Sequence, residues 1–182
     1  NVNGSTVTYT PNPNENGTDS FSYKVNDGES DSNIASVTIT INAVNDLPTI
    51  SGEPKNIAPA GINYSFTPTV VDSDVSIGDA GDTLRYSITN RPNWATFNPS
   101  TGELSGSPQN SQIGQYTSIE VSVSDKEGET ASLASFSIEV GYDFGSNNTQ
   151  LQTAVIEWVN NENNATTTYG HISAWNVSDI TD

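Results

Sequence analysis

Asp72 and Asp74 flank a single serine, and Asp79 and Asp82 follow, so four carboxylates fall within eleven residues that hold no Lys or Arg. Closing such a loop drives like charges together and costs folding energy unless a cation sits among them. The chemistry that suits this set is calcium ligation, which uses six to eight hard oxygens from carboxylates, amides, backbone carbonyls and water on flexible loops. Asp125 ends another predicted strand and adds a further oxygen donor. A solvated acidic loop whose charges point apart is the other reading of the same residues. Asn26-Asp27-Gly28 likewise reads either as a ligand-bearing loop or as a turn chosen for its positive φ.

Other chemistries find little support. There is no Cys, so no disulfide, thiolate metal site or cysteine nucleophile is available. One histidine, His171, makes zinc an unsuitable guest. Neither a Gly-X-Ser-X-Gly elbow nor a phosphate-binding loop occurs, and the acids lie in loop clusters rather than as two carboxylates held across a cleft. The expectation is a non-enzyme. Five Lys and Arg stand against twenty-two Asp and Glu, a net charge of −17, which disfavours nucleic acid and anionic lipid as partners. No window is long and apolar enough for a membrane-spanning helix, so no direct membrane contact is expected. The sequons at Asn3, Asn16, Asn63, Asn147, Asn164 and Asn176 are what chance provides in so Asn- and Thr-rich a chain.

The elements that must hold these residues are mostly strands. Val7 and Tyr9, then Phe21, Tyr23 and Val25, then Val37, Ile39 and Ile41 alternate at period two, with turn formers between them. Three strands cannot close a sandwich of about seven, so residues 1–46 read as the C-terminal half of a domain. Pro48 stiffens the joint at Asn45-Asp46-Leu47-Pro48. Residues 47–140 then read as a complete β-module: runs at 63–71 and 83–89, a tight hairpin at Asn98-Pro99-Ser100-Thr101-Gly102, and long strands at 115–124 and 130–140. Trp94, Phe97, Tyr86 and Tyr116 are expected in its core. Beyond Gly141, Leu151, Ala154, Val155, Trp158 and Val159 form one helical stripe, with N-cap side chains at 146–148 and a stop at Gly170. Residues 172–177 read as a short strand. Residues 141–182 are thus a linker plus the helical cap of a following domain.

Three resemblances follow from these motifs. Val7-Thr8-Tyr9-Thr10-Pro11-Asn12-Pro13-Asn14, Gly17-Thr18-Asp19-Ser20-Phe21-Ser22-Tyr23 and Val25-Asn26-Asp27-Gly28 resemble the C-terminal half of bacterial cadherin-like tandem domains in large surface adhesins. The stretch Asn42-Ala43-Val44-Asn45-Asp46-Leu47-Pro48 looks like their linker. The second module is similar to dystroglycan-type cadherin-like domains, also called putative-Ig domains. The carriers are Asp72-Ser73-Asp74, Asp82-Thr83-Leu84-Arg85-Tyr86, Pro92-Asn93-Trp94, Thr101-Gly102-Glu103-Leu104-Ser105-Gly106 and Val121-Ser122-Val123-Ser124-Asp125. The tail from Ile172 through Trp175 to Asp182 looks like the start of the leucine-rich-repeat arrays of BspA-like surface proteins.

These resemblances imply Ig/cadherin-like Greek-key β-sandwiches in tandem and a calcium site at the joint between modules. Asn45, Asp46, Asp72, Asp74, Asp82 and Asp125 are its implied ligands, with Glu15, Asp19, Asp27 and Asp79 as outer candidates. Asp143, in the connector, is read as lying outside that site. Against the metazoan pattern the linker is less acidic, and an Asp-Arg-Glu triplet is missing at 101–103, which implies fewer or weaker ions. The function implied is a calcium-rigidified adhesion segment, secreted or at the cell surface. Its partners would be neighbouring domains of the same chain and a cell-surface protein or polysaccharide. The alternative is a carbohydrate-binding accessory module of a secreted polysaccharide-degrading enzyme.

Overall fold

A computed structural model describes residues 6–76 and 83–180, and they form a mainly β protein whose longer helices lie near the C-terminus, with a four-residue helical turn at Ser73–Ser76 and a 3-10 turn at Asn110–Gln112. The chain divides into two compact units, Asn1–Asp46 with Ser73–Asp79, and Leu47–Asp72 with Ala80–Asp182.

In the first unit β1 (Gly17–Tyr23) pairs antiparallel with β2 (Ala35–Ile41), in a register that sets Phe21 opposite Val37 and Asp19 opposite Ile39. Phe21, Val37, Ile39 and Ile41 are half-buried on alternate positions, as period two requires. The expected strand through Val7 and Tyr9 does not form. Pro11 and Pro13 lack the N–H groups that a ladder needs, and Tyr9 turns its hydroxyl to Asp19 Oδ2 at 2.7 Å. The four-residue helical turn, α1 (Ser73–Ser76), also belongs to this unit. No described residue of the unit is fully buried.

The second unit carries three antiparallel sheets. The first pairs β3 (Thr49–Ser51) with β5 (Thr69–Val71). In the next, β8 (Leu104–Gly106) lies between β4 (Tyr64–Phe66) and β7 (Thr96–Phe97). In the third, β9 (Gly114–Ser124) has β6 (Arg85–Thr89) on one edge, and β10 (Thr130–Ser132) and β11 (Phe136–Val140) along the other. Leu104, Ile119, Val121, Ile138 and Val140 are completely buried between them. Trp94 stands edge-on to Tyr64 and Tyr116, with ring centroids 5.7 and 6.1 Å away. Trp94, Tyr116 and Phe97 thus pack in the core as expected, whereas Tyr86 is half-buried outside that cluster. The hairpin at 98–102 closes through Gly102 N–H to the Asn98 carbonyl at 2.8 Å. Gly102 has φ +72°, and a Cβ there would lie 2.6 Å from the Tyr86 ring, so only glycine fits.

Strand β9 changes phase within its length. Tyr116 faces the core from an even position, whereas Ile119, Val121 and Val123 face it from odd ones. The extra residue is absorbed at Ser118, whose φ is 55° and whose carbonyl accepts from Asn90 Nδ2 at 2.7 Å, while β11 shifts register between Phe136 and Ile138.

The tail holds α2 (Asn148–Asn160) and α3 (Glu162–Tyr169). Asn147 caps α2 through Gln150 N–H, and Gly170 with φ 73° ends α3. The buried stripe is narrower than its periodicity suggests, since Val155 and Val159 are exposed. Residues 172–177 are not a strand. Ile172–Ala174 is a 3-10 turn, and Asn176 alone makes a parallel bridge to Asp143. Trp175 donates from Nε1 to the Gly170 carbonyl at 3.0 Å, which anchors the segment by a side chain instead of a ladder. The rings around Trp158 are His171 and Trp175, so the tail builds its own small core with Phe144, Ala154 and Leu151.

Tyr64 is buried and donates its hydroxyl to the Lys55 carbonyl at 3.0 Å, and burial pushes its pKa up to about 12. The unfolded phenol ionises near 10, so the buried neutral form stabilises the fold below that pH. That contribution is lost as pH rises from about 10 towards 12. Burial shifts Tyr86 and Tyr116 in the same direction. An alkaline series of circular-dichroism melts is expected to give Tyr64→Phe a shallower loss of stability across that window than the native chain; equal slopes would remove Tyr64 as the cause.

Candidate functional site

The acids singled out from sequence divide between the units. In the first unit, the Asp46 N–H donates to Asp74 Oδ2 at 2.7 Å, and both residues are half-buried. They line a cleft of about 260 Å³ together with Glu15, Asn42 and Asn12. Glu15 Oε2 accepts from Asn12 Nδ2 at 2.8 Å, which holds that carboxylate beside its own turn. Asn45 is half-buried in the same unit.

Asp19 and Asp27 are exposed and engaged locally. The Tyr9 hydroxyl, then the Ser20 N–H, keep the Asp19 carboxyl below the usual carboxylate range. Asp27 Oδ1 accepts from Ser30 and Glu29 N–H groups at 2.8 and 2.9 Å, and those bonds lower its pKa in that order. This is the Asn-Asp-Gly turn in hydrogen-bonded form.

In the second unit Asp72 and Asp125 are only 3% and 5% exposed. Asp125 closes the loop between β9 and β10. Its N–H donates to the Glu129 carbonyl, and its Oδ1 accepts from the Glu129 N–H at 2.8 Å. Asp79 and Asp82 lie outside the described residues. Among the described residues no three Asp, Glu or His groups form a metal-binding cluster.

Sequence reasoning missed two features. Asp143 is no idle connector: its Oδ1 accepts from Asn176 Nδ2 at 2.9 Å and from the Gly145 N–H at 3.0 Å. Its backbone exchanges hydrogen bonds with the Asn110 side chain at 2.7 and 3.0 Å. A recess of about 530 Å³ also opens where β11 meets the tail, with Glu139 and His171 on its lining. Its residues come from separate stretches of sequence, so no local motif announces it.

The family model described as "Putative Ig domain" matches residues 48–141, just over half of the chain. The chain belongs to this family. A second model, "Bacterial Ig domain", matches residues 1–40 ahead of the Ig domain. No curated protein matches the chain. Among solved structures, it is similar to mouse cadherin-23 EC22-24, at 18% identity over 68% of this chain and 43% of that one, with a TM-score of 0.45. The SrpA adhesin from Streptococcus sanguinis aligns at 18% identity over 55% and 59% of the two chains, with a TM-score of 0.40. The endo-fucoidan hydrolase MfFcnA4 from glycoside hydrolase family 107 aligns at 18% identity over 76% and 21%, with a TM-score of 0.40. The chain thus spans between about a fifth and three fifths of the length of these proteins.

Proposed function

We propose that this chain is a non-catalytic adhesion-type segment of a secreted or cell-surface bacterial protein, in which calcium held by acidic loops stiffens the chain about residues 45–48. The observation that carries the reading is the burial of two loop carboxylates, Asp72 and Asp125, in the Ig domain of a chain with a net charge of −17. Taking carboxylates out of water is costly, and a divalent cation offsets that cost. The donors fit a hard ion, being carboxylates and an amide with no thiolate among them. Asp72 and Asp125 would serve in the Ig domain, and Asp46, Asp74 and Asn45 in the first unit, with Glu15 on the same cleft. Asp82 and Asp79 complete the acidic run in sequence. The partners follow from the role: neighbouring domains of the same chain, and a cell-surface protein or polysaccharide.

Thermal melts in excess calcium and in chelator test this. An ion that binds only the folded form, present at 100 times its Kd, adds about 2.7 kcal/mol and raises Tm. Asp72→Asn and Asp125→Asn are each expected to remove most of the calcium-dependent rise. Superimposable melts of the native chain with and without calcium would sink the assignment.

A further inference from the structure

The recess at the seam of the Ig domain and its tail is about 530 Å³, within the range of small-ligand sites. Its polar lining includes Asn56, Gln115, Glu139, Thr166, His171 and Ser173, and contains no Lys or Arg. Two of these groups are already oriented. Glu139 Oε1 accepts from the His171 N–H at 3.2 Å, and among the described residues its other oxygen has no protein partner. The His171 ring stands edge-on to Trp158 at 5.1 Å, and its Nδ1 accepts from the Ser173 N–H at 3.2 Å and lies 2.7 Å from Ser173 Oγ. In the neutral ring this bonding leaves the proton on Nε2, as a donor.

An acceptor carboxylate, a donor imidazole, two amides and the hydroxyls of Ser137, Thr166 and Ser173 match a ligand that both gives and takes hydrogen bonds at many points. The absence of a basic side chain in the recess, with a net charge of −17 around it, disfavours anions. We propose that this recess binds a neutral sugar unit, with Glu139 accepting from ligand hydroxyls, His171 Nε2 donating to one, and Gln115 and Asn56 completing the set. Hydrogen bonds from hydroxyls to a carboxylate are charge-assisted and among the stronger ones open to a neutral ligand. The site draws on both the sheet and the tail, so a bound sugar also holds the two together.

The test uses the full chain, with 1H–15N spectra recorded during titration with glucose, galactose, mannose, fucose, N-acetylglucosamine and lactose. Glucuronate is the anionic control, and each titration reaches concentrations that saturate a millimolar site. The expected result is saturable shifts at Gln115, Glu139 and His171 with at least one neutral sugar and none with glucuronate. Glu139→Gln, which keeps an acceptor for the His171 N–H, should weaken binding about tenfold, and Gln115→Ala several-fold. Gln115 is exposed, so its variant decides the matter if Glu139→Gln fails to fold. Saturation by no neutral sugar, equal binding of glucuronate, or undiminished binding in the folded variants would each overturn the proposal. Running the series in calcium and in chelator separates this outcome from the calcium reading.

Discussion

Leu104→Ala is expected to destabilise the Ig domain by about 2–5 kcal/mol, measured as a lower denaturation midpoint at fixed calcium. Leu104 is completely buried in β8, the middle strand of its sheet, where it lies opposite Phe66 on β4 and Phe97 on β7. Truncation removes apolar contacts to both neighbouring strands and leaves a cavity beside side chains that are fixed by their own ladders. Collapse is hard because β8 is tied on both edges and Gly106, two residues on, already abuts the Trp94 carbonyl. Val71→Ala makes the reference, since Val71 is 61% exposed and its truncation should stay within about 0.5 kcal/mol. Equal effects at the two positions would mean that the core is not centred on Leu104.

The second large effect concerns how the tail is held. A Cβ at Gly141 would collide with the carbonyl oxygen and carbon of Ala174, backbone atoms that cannot swing aside. Gly141→Ala must therefore push the turn at 172–174 off the end of β11. The bonds on either side go with it: Tyr142 N–H to the Tyr169 carbonyl at 2.9 Å, and Asn176 N–H to the Tyr142 carbonyl at 2.8 Å. Overpacking of this kind costs about 1–3 kcal/mol. The cost falls on α2 and α3, which have 13 and 8 residues and are marginal as isolated helices. The expected result is rapid proteolysis within residues 147–180, with loss of near-ultraviolet signal from Trp158 and Trp175, while the β-module keeps its melting transition. A tail as protease-resistant as the native one would show that the seam at Gly141 is not what holds it.

Several elements are legible in the sequence alone because local chemistry decides them. Alternating apolar residues in β1, β2 and β6 have one face to bury, whatever they pair with. The hairpin at 98–102 and the stop at Gly170 follow from residues that tolerate positive φ. The cap at Asn147 follows from a short amide that reaches the first turn of its own helix. Two expected strands do not form, for want of a partner. Val7 and Tyr9 alternate like a strand but run into two prolines, and Ile172 to Val177 look like one but find no edge beyond Asn176.

Ligand-forming residues follow the same division. That the chain is acidic, lacks thiols and clusters oxygen donors at 72–82 is a property of its composition and needs no fold. Which carboxylates are buried is a tertiary matter, since nothing local separates Asp72 and Asp125 from the exposed Asp27. Asp143 reads as connector in the sequence because its partners, Asn110 and Asn176, lie 33 residues away on either side. The phase change at Ser118 and the recess beside Glu139 and His171 arise the same way, from segments brought together by packing. Periodicity, turn chemistry and charge act between near neighbours and can be read along the chain, whereas burial and convergence depend on long-range contacts that only the folded structure supplies.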